Sequence, residues 1–93
     1  MNFEWSAGKA EANLKKHGIA FTEAGSVFSD PLAITFYDLD HSETEQRYLT
    51  FGVALSGRSL VVAHASRGDT IRTISARLMT SRERRQYEQY EQG

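Results

Sequence analysis

The spacing of apolar residues changes from a helical period to strict alternation at Pro31, and this change constrains the fold of the 93-residue chain more than any other feature. Before Pro31, apolar side chains recur at intervals of three and four, which predicts helices over residues 7–17 and 22–29. After Pro31 they alternate with the period of two that is typical of strands. The second helix should end at Asp30, because a proline disfavours the α region for the residue before it. The chain is therefore predicted to begin with helices and to continue as a sheet.

Four strands are predicted from the alternating segments, at residues 32–37, 47–55, 60–63 and 70–76. Turn signals at Ser56-Gly57 and Arg67-Gly68-Asp69 separate the last three. Such short connections favour an antiparallel meander over parallel crossovers. A last helix should begin at Thr80-Ser81-Arg82-Glu83, which has the form of a capping box. The predicted fold is α+β with the order ααββββα, in which two N-terminal helices pack on one face of a four-stranded antiparallel sheet with sequential strands.

The first helix carries a signal at each end, and the apolar pattern predicts a core. Ser6 is a suitable N-cap, and Gly18 is a suitable left-handed residue after the last turn. Thr22 is the predicted N-cap of the second helix. The predicted core consists of Leu14, Phe28, Ile34, Phe36, Leu49, Phe51, Val53, Val61 and Ile74.

Length and composition exclude several classes of protein. Ninety-three residues suffice for one domain, which is predicted to span residues 1–93. No apolar run approaches the ~20 residues that a membrane span needs, and no signal peptide is expected. The chain has no cysteine, which excludes disulfides and thiolate metal sites and fits a cytoplasmic protein.

Charge is unevenly distributed along a chain whose net charge is only −1. Residues 1–56 carry four cations and eight acids, a balance of −4. Residues 57–85 carry seven arginines and two acids, a balance of +5. Arginine has a planar fork that suits phosphate. The basic half therefore either forms an ordinary solvated surface or binds a polyanion or an acidic partner.

The three histidines show no metal-ligand spacing, and the chain has no phosphate-binding loop and no nucleophile motif. Neither a metal nor a cofactor is therefore predicted. His64 shares strand parity with Leu60 and Val62, which favours a packed, hydrogen-bonded side chain. His41 lies in an acidic loop and is predicted to be solvated. His17 ends the first helix, where it either complements the helix dipole or takes part in chemistry.

The remaining arginine, histidine, tyrosine and carboxylate side chains can cleave RNA without a metal. A base must take the proton of the attacking 2′-hydroxyl, and cations must stabilise the charge on the pentacoordinate phosphorus. The same side chains can equally bind RNA without catalysis, so composition leaves both functions open. Arg72 and Arg77 are five residues apart in one predicted strand. They would point to opposite faces unless the strand ends or bulges before Arg77.

Several short motifs follow one another along nearly the whole chain. They are Phe3-Glu4-Trp5, Lys9, Asn13, Lys16-His17-Gly18-Ile19, Phe21, Val27-Phe28-x-Asp30, Arg47-Tyr48, Gly52, Leu60-Val61-Val62, Arg67-Gly68, Ile71-Arg72-x-Ile74-Ser75-Ala76-Arg77, Glu83, Arg84 and Tyr87. In this order they resemble the BrnT-type toxins of bacterial type II toxin–antitoxin systems. Ser6 departs from the family pattern, which carries aspartate after the tryptophan, but both residues cap helices well.

The resemblance implies a RelE-like ribonuclease fold, cleavage of cellular RNA and growth arrest. It also implies a cognate antitoxin of the ribbon-helix-helix type, which would neutralise the toxin and would carry the complex to operator DNA. Two alternatives remain open: a non-catalytic RNA-binding or regulatory module, and a degenerate toxin that acts only as an interaction partner.

The resemblance also points to basic positions as the site. The predicted catalytic residues are His17, Arg67, Arg72 and Arg77, and the predicted substrate-binding residues are Lys9, Lys16 and Arg47. His17 is the candidate for proton transfer, and the arginines would hold phosphate groups of the substrate and the transition state. Glu43 and Glu45 are reserve bases, because their loop could fold over the sheet.

Overall fold

A computed structural model describes residues 2–92 as five strands and three helices. They are β1 (Asn2–Glu4), α1 (Ala7–His17), α2 (Phe21–Gly25), β2 (Ile34–Tyr37), β3 (Arg47–Val53), β4 (Ser59–Arg67), β5 (Thr70–Leu78) and α3 (Ser81–Gln92). Short 3-10 turns cover Ser26–Ser29 and Leu39–His41. The strands form one sheet in the order β1-β5-β4-β3-β2. The α+β class is confirmed.

The prediction of a four-stranded antiparallel sheet is wrong in one respect, because β1 adds a fifth strand that runs parallel to β5. Its residues pair with Thr70, Ile71 and Arg72. Three residues are too few to show an alternating pattern, and their partners lie at the other end of the chain, so the sequence carries no local signal for this strand. The other four strands are antiparallel and sequential, as predicted.

Helix α1 has the predicted bounds, but it lies along the outer edge of β5 and not on a face of the sheet as predicted. Its N-cap is Ser6, whose Oγ accepts from the backbone N–H of Lys9 at 3.3 Å, and Gly18 ends it with a φ of 70°. The buried Asn13 side chain donates to the carbonyls of Ile19 and Ala76, each at 2.9 Å, and accepts from the N–H of Ala76 at 3.0 Å. An asparagine side chain thus satisfies the edge of β5 where β1 has ended.

The helix predicted over residues 22–29 is shorter than expected. Helix α2 ends at Gly25 and continues as a 3-10 turn, and its N-cap is Ala20 rather than Thr22. Ser26 explains the change, because its hydroxyl donates to the carbonyl of Glu23 at 2.6 Å and so competes with helical hydrogen bonding.

The two faces of the sheet differ, and most of the predicted core is on the less covered one. The face under α2 carries buried residues: Thr50, Gly52, Leu60, Val62, Thr73 and Ala76. Ile19, Ala24 and Val27 pack there as the true core. Of the predicted core, Val61 is fully buried, whereas Leu14 and Phe36 are 52% and 42% exposed, so those two assignments are wrong. The other six predicted core residues are half-buried.

Helix α3 covers one end of the opposite face. It begins with the predicted capping box, in which the Glu83 N–H donates to Thr80 Oγ1 at 3.1 Å and the Thr80 N–H donates to Glu83 Oε1 at 2.9 Å. The buried Tyr87 hydroxyl donates to Asp30 Oδ2 at 2.6 Å. The other end of this face, where β4 turns into β5, is not covered by a helix within residues 2–92. We call the whole of this face the arginine face, because the arginines described below lie on it.

Candidate functional site

Two arginines flank an alanine in one cross-strand row of the arginine face. Ala65 on β4 pairs with Arg47 on β3 and with Arg72 on β5. Residues that pair directly across antiparallel strands point to the same face, so both guanidinium groups rise from the sheet on either side of a methyl group. Because Ala65 is small, its side chain does not hold the two arginine side chains apart.

Glu45 joins these two arginines to a third. It bonds Arg72 Nη2, and its carboxylate lies 3.5 Å from Arg47 Nε and 4.0 Å from Arg67 Nη2. The hydrogen bond from Arg72 lowers the pKa of Glu45 below its usual range, although partial burial opposes this. Arg47, Arg67 and Arg72, all predicted site residues, therefore form one group, which we call the arginine cluster.

Arg77 lies on the same face as the arginine cluster because β5 contains a bulge. Thr73 pairs with His64 and Ser75 pairs with Ala63, which leaves Ile74 without a partner on β4. One extra residue shifts the alternation by one, so Arg72 and Arg77 point the same way. The bulge is the condition under which these two arginines were predicted to share a face.

Arg77 is held by the first turn of α3. Its Nη1 and Nη2 donate to the two carboxylate oxygens of Glu83 at 2.7 and 2.9 Å. The hydrogen bonds from Arg77 lower the pKa of Glu83 to about 2 against an opposing effect of burial, and the same pair raises the pKa of Arg77. Glu83 was predicted as part of the capping box and of the family pattern, and neither indicates that its carboxylate reaches the sheet.

The predicted site residues on α1 form a second group. Lys9 and His17 lie four residues on either side of Asn13, so they share the side of α1 that meets the edge of β5. Lys16 is beside them, and both lysines are exposed whereas His17 is half-buried. The backbone of Ala76, which Asn13 binds, immediately precedes Arg77. The bonds from Asn13 therefore place this stretch of α1 beside the Ala76–Arg77 segment of β5 rather than beside the arginine cluster.

The structure does not bring His17 to the arginine cluster. The carbonyl of Gly18, next to His17, accepts from Arg58 Nη2 at 3.0 Å, and Arg58 immediately precedes β4. The arginine cluster lies at Ala65, five residues beyond the start of the paired segment at Leu60. Five strand residues span about 17 Å, so the two groups lie at opposite ends of β4 and β5.

The other two histidines have the predicted environments. His64 is buried, and its Nε2 lies 2.7 Å from Thr50 Oγ1. Burial lowers the pKa of His64 to about 4, so the ring is neutral near pH 7. His41 is exposed and its Nδ1 lies 3.0 Å from Asp38 Oδ2, within its own loop.

Both the sequence and the fold of this chain are similar to those of a known protein family. The family model described as the ribonuclease toxin BrnT of type II toxin–antitoxin systems matches residues 5–83. The 1.1 Å crystal structure of the Brucella abortus ribonuclease toxin BrnT superposes with a TM-score of 0.66, at 21% sequence identity, over 87% of this chain and 99% of that chain. At this identity the superposition shows a shared fold. No curated protein matches the sequence significantly. Within residues 2–92, no helix is long and apolar enough to cross a membrane.

Proposed function

Because the chain belongs to the BrnT family of ribonuclease toxins of type II toxin–antitoxin systems, we propose that it is an endoribonuclease that cleaves cellular RNA without a metal ion and arrests growth. The observation that carries the proposal is the placement of Arg47, Arg67, Arg72 and Arg77 on one sheet face, open at the end that holds the first three. An RNA strand lying along β5 would pass all four.

The reaction follows from the groups that RNA itself offers. A base removes the proton of a ribose 2′-hydroxyl, and the oxygen attacks the adjacent phosphorus. The bond from phosphorus to the 5′-oxygen then breaks, which leaves a 2′,3′-cyclic phosphate, and the 5′-oxygen takes a proton. Negative charge accumulates on the phosphoryl oxygens in between, so positioned guanidinium groups lower the barrier.

The arginine face divides these tasks between its two ends. The arginine cluster would hold a phosphate by charge-assisted hydrogen bonds. Arg77 would stabilise the charge on the reacting phosphate, and His17 at the end of α1 would transfer the proton. Lys9 and Lys16 would contact further phosphate groups of the RNA backbone.

Arg77 also has a structural role, since it is paired with Glu83, and the experiment must separate the two roles. Arg77→Lys keeps the charge but loses the bidentate fork. Glu83→Gln is the matched control, because it breaks the same ion pair while glutamine still fits the capping box. A catalytic Arg77 predicts that Arg77→Lys loses activity and Glu83→Gln retains it. If Arg77 is purely structural, Arg77→Lys and Glu83→Gln should lower the melting temperature equally and should cleave RNA at equal rates below it.

The assay is cleavage of total RNA in excess EDTA by the wild type, His17→Ala and these two variants, each with its melting temperature measured. Loss of a positioned base lowers a rate by about 10²–10⁴-fold, so His17→Ala should cleave slowly and bind RNA normally. Loss of wild-type activity in EDTA would contradict the metal-free mechanism. Full activity of His17→Ala and Arg77→Lys would contradict the site assignment. Binding without cleavage by the folded wild type would favour the RNA-binding module.

The antitoxin is part of the same proposal. Type II systems pair a toxin with a protein antitoxin, and we place that partner over the arginine face, where it would exclude RNA. A ribbon-helix-helix protein would bring the complex to operator DNA, and the chain would act in the cytoplasm. The support for this placement is the basic charge of residues 57–85, which an acidic segment would complement.

A further inference from the structure

Glu45 is bound to the arginine cluster by its side chain. Its Oε1 contacts Arg72 and Arg47, and its Oε2 faces Arg67. Among the side chains of residues 2–90, no other carboxylate lies within 4.0 Å of these three guanidinium groups. One negative charge therefore faces three positive charges, and the site keeps an excess of two.

The arginine cluster also has more donors than Glu45 can use. Nε of Arg47, 3.5 Å from Glu45 Oε1, and Nε of Arg72 are buried and form no hydrogen bond to the described side chains or backbone. A buried N–H of a charged group without an acceptor costs free energy. A carboxylate offers two oxygens in one plane, whereas a phosphate group offers its oxygens in a tetrahedral arrangement. A phosphate group therefore suits three converging arginines better than a carboxylate does.

The backbone of the loop does not hold Glu45 in place. The loop is closed at its base, where the Asp38 N–H donates to the Arg47 carbonyl at 2.8 Å and Ser42 Oγ accepts from the Arg47 N–H at 3.1 Å. Beyond this base, residues 43–46 make no backbone hydrogen bond to the sheet. Glu45 can therefore leave the arginines without breaking any backbone hydrogen bond.

From these contacts we propose that Glu45 occupies, in the free protein, the position of an RNA phosphate group, and that RNA binds the arginine cluster by displacing it. The proposal rests on the proposed function, since it assigns one phosphate subsite of the same face. Glu45 is then a competitor for the arginines, and its removal should strengthen the binding of RNA.

The test compares two glutamates of one loop. Glu45→Gln removes the competing charge, and Glu43→Gln makes the same change in net charge at an exposed residue that contacts no arginine. The probe is a fluorescent oligonucleotide of 2′-O-methyl RNA, which lacks the attacking hydroxyl and therefore binds without being cleaved. Glu45→Gln should tighten its Kd about five- to tenfold, because it removes the competing charge of a partly exposed ion pair. Glu43→Gln should change it less than about twofold.

Removing Glu45 leaves three arginines without their anion, so a second variant guards against misfolding. Glu45→Asp keeps the charge but shortens the reach, and it should tighten binding by less than Glu45→Gln does. Equal effects of Glu45→Gln and Glu43→Gln would overturn the proposal, as would weaker binding by Glu45→Gln, which would mean that Glu45 positions the arginines.

Two further comparisons distinguish RNA from free phosphate as the ligand, and distinguish failure of the proposed function from failure of the role of Glu45. Inorganic phosphate is titrated against the same variants, and a gain for phosphate without a gain for the oligonucleotide would overturn the assignment to RNA. If the wild type neither cleaves RNA nor binds the oligonucleotide, the proposed function itself fails. If the wild type cleaves RNA and Glu45→Gln binds the oligonucleotide no more tightly, only the role of Glu45 fails.

Discussion

Arg72 and Arg77 lie on the same face of the sheet although they are five positions apart in one strand. The extra residue Ile74 makes this possible, because it adds one step to the alternation without a partner on β4. A regular strand would turn one of the two guanidinium groups into the apolar layer under α2, where an unpaired charge is very unfavourable. The bulge therefore determines that the basic residues of β5 belong to one surface.

The close packing of β3 against the 3-10 turn predicts opposite effects for two glycines. A Cβ at Gly52 would lie 2.7 Å from Val27 Cγ1, so Gly52→Ala should lower the free energy of unfolding by about 1–3 kcal/mol. Gly25 has helical backbone angles and nothing within 4 Å of its Cβ position, so Gly25→Ala should raise it by about 0.5–1 kcal/mol. Urea denaturation measures both.

A double variant tests whether the contact with Val27 is the cause. Val27→Ala removes the clashing methyl groups, so its combination with Gly52→Ala should cost less than the two single changes together. Additive costs would show that something other than this contact excludes a side chain at Gly52.

Replacement of Asn13 should strongly lower the free energy of unfolding, although most of α1 is exposed. Its side chain makes three buried hydrogen bonds, to Ile19 and to both backbone groups of Ala76. Asn13→Ala leaves those groups unsatisfied and should lower the free energy of unfolding by about 2–4 kcal/mol. Lys15→Ala on the same helix loses only an exposed ion pair with Glu11 and should cost less than about 0.5 kcal/mol. A similar loss in the two variants would contradict the edge-binding role of Asn13.

Parts of this fold could be predicted from the sequence wherever the signal was local. Ser6 and Gly18 determine the ends of α1 by their own side chain and backbone, and Thr80 with Glu83 begins α3 in the same way. The sequential order of β2 to β5 followed from the short turns. The fifth strand could not be predicted, because its pairing with Thr70–Arg72 connects the two ends of the chain.

Part of the core was predicted wrongly for a different reason. Alternation shows that a strand has two faces but not which face the helices cover, and here the large residue Phe36 lies on the more open face while Gly52 and Ala76 lie under α2. The arginines of the site were identified by type, but the position of Arg77 on the face of the other three depends on the bulge at Ile74. Whether His17 serves the reaction stays a prediction for the cleavage assay.

His64 predicts a pH dependence of stability. Burial lowers its pKa from 6.5 to about 4 in the folded protein. Between these values the unfolded chain binds a proton that the folded chain does not, so stability falls as the pH decreases from about 6.5 to 4. The total loss from this residue is about 3 kcal/mol.

His64→Gln should flatten the dependence in that window, since an amide can still bond Thr50 but does not titrate. Glu23 and Glu83, whose pKa values are lowered to about 2, lose their stabilising pairs with arginine only as the pH falls from about 4.5 towards 2. Denaturation at a series of pH values separates the two windows. An equally steep loss between pH 6.5 and 4.5 in His64→Gln would exclude His64 as its source.

The proposed antitoxin interface predicts a specific effect of charge reversal. Arg67→Glu on the arginine face should slow association with the protein encoded beside this chain, most strongly at low salt, because steering depends on exposed charge. Lys15→Glu, an equally large reversal on the exposed side of α1, should change the rate little. Stopped-flow mixing at two salt concentrations measures this, and equal slowing by the two variants would mean that only net charge matters.

Ala65 predicts that a change with no effect on charge impairs RNA binding. It lies between Arg47 and Arg72, and its small side chain lets the two guanidinium groups meet at Glu45. Ala65→Leu would hold them apart, so the same 2′-O-methyl oligonucleotide should bind about tenfold more weakly, the loss of roughly one charge-assisted hydrogen bond.

The matched control for Ala65 is Ala63→Leu, which adds the same volume on the same strand and face, two residues away, opposite Leu49 and Ser75. Both leucines overpack a buried or half-buried site, so similar losses of stability are expected from them. Only Ala65→Leu should weaken binding, because only this residue separates two arginines. If the two variants lower affinity equally at a temperature where both are folded, the convergence of Arg47 and Arg72 above Ala65 is not what binds RNA.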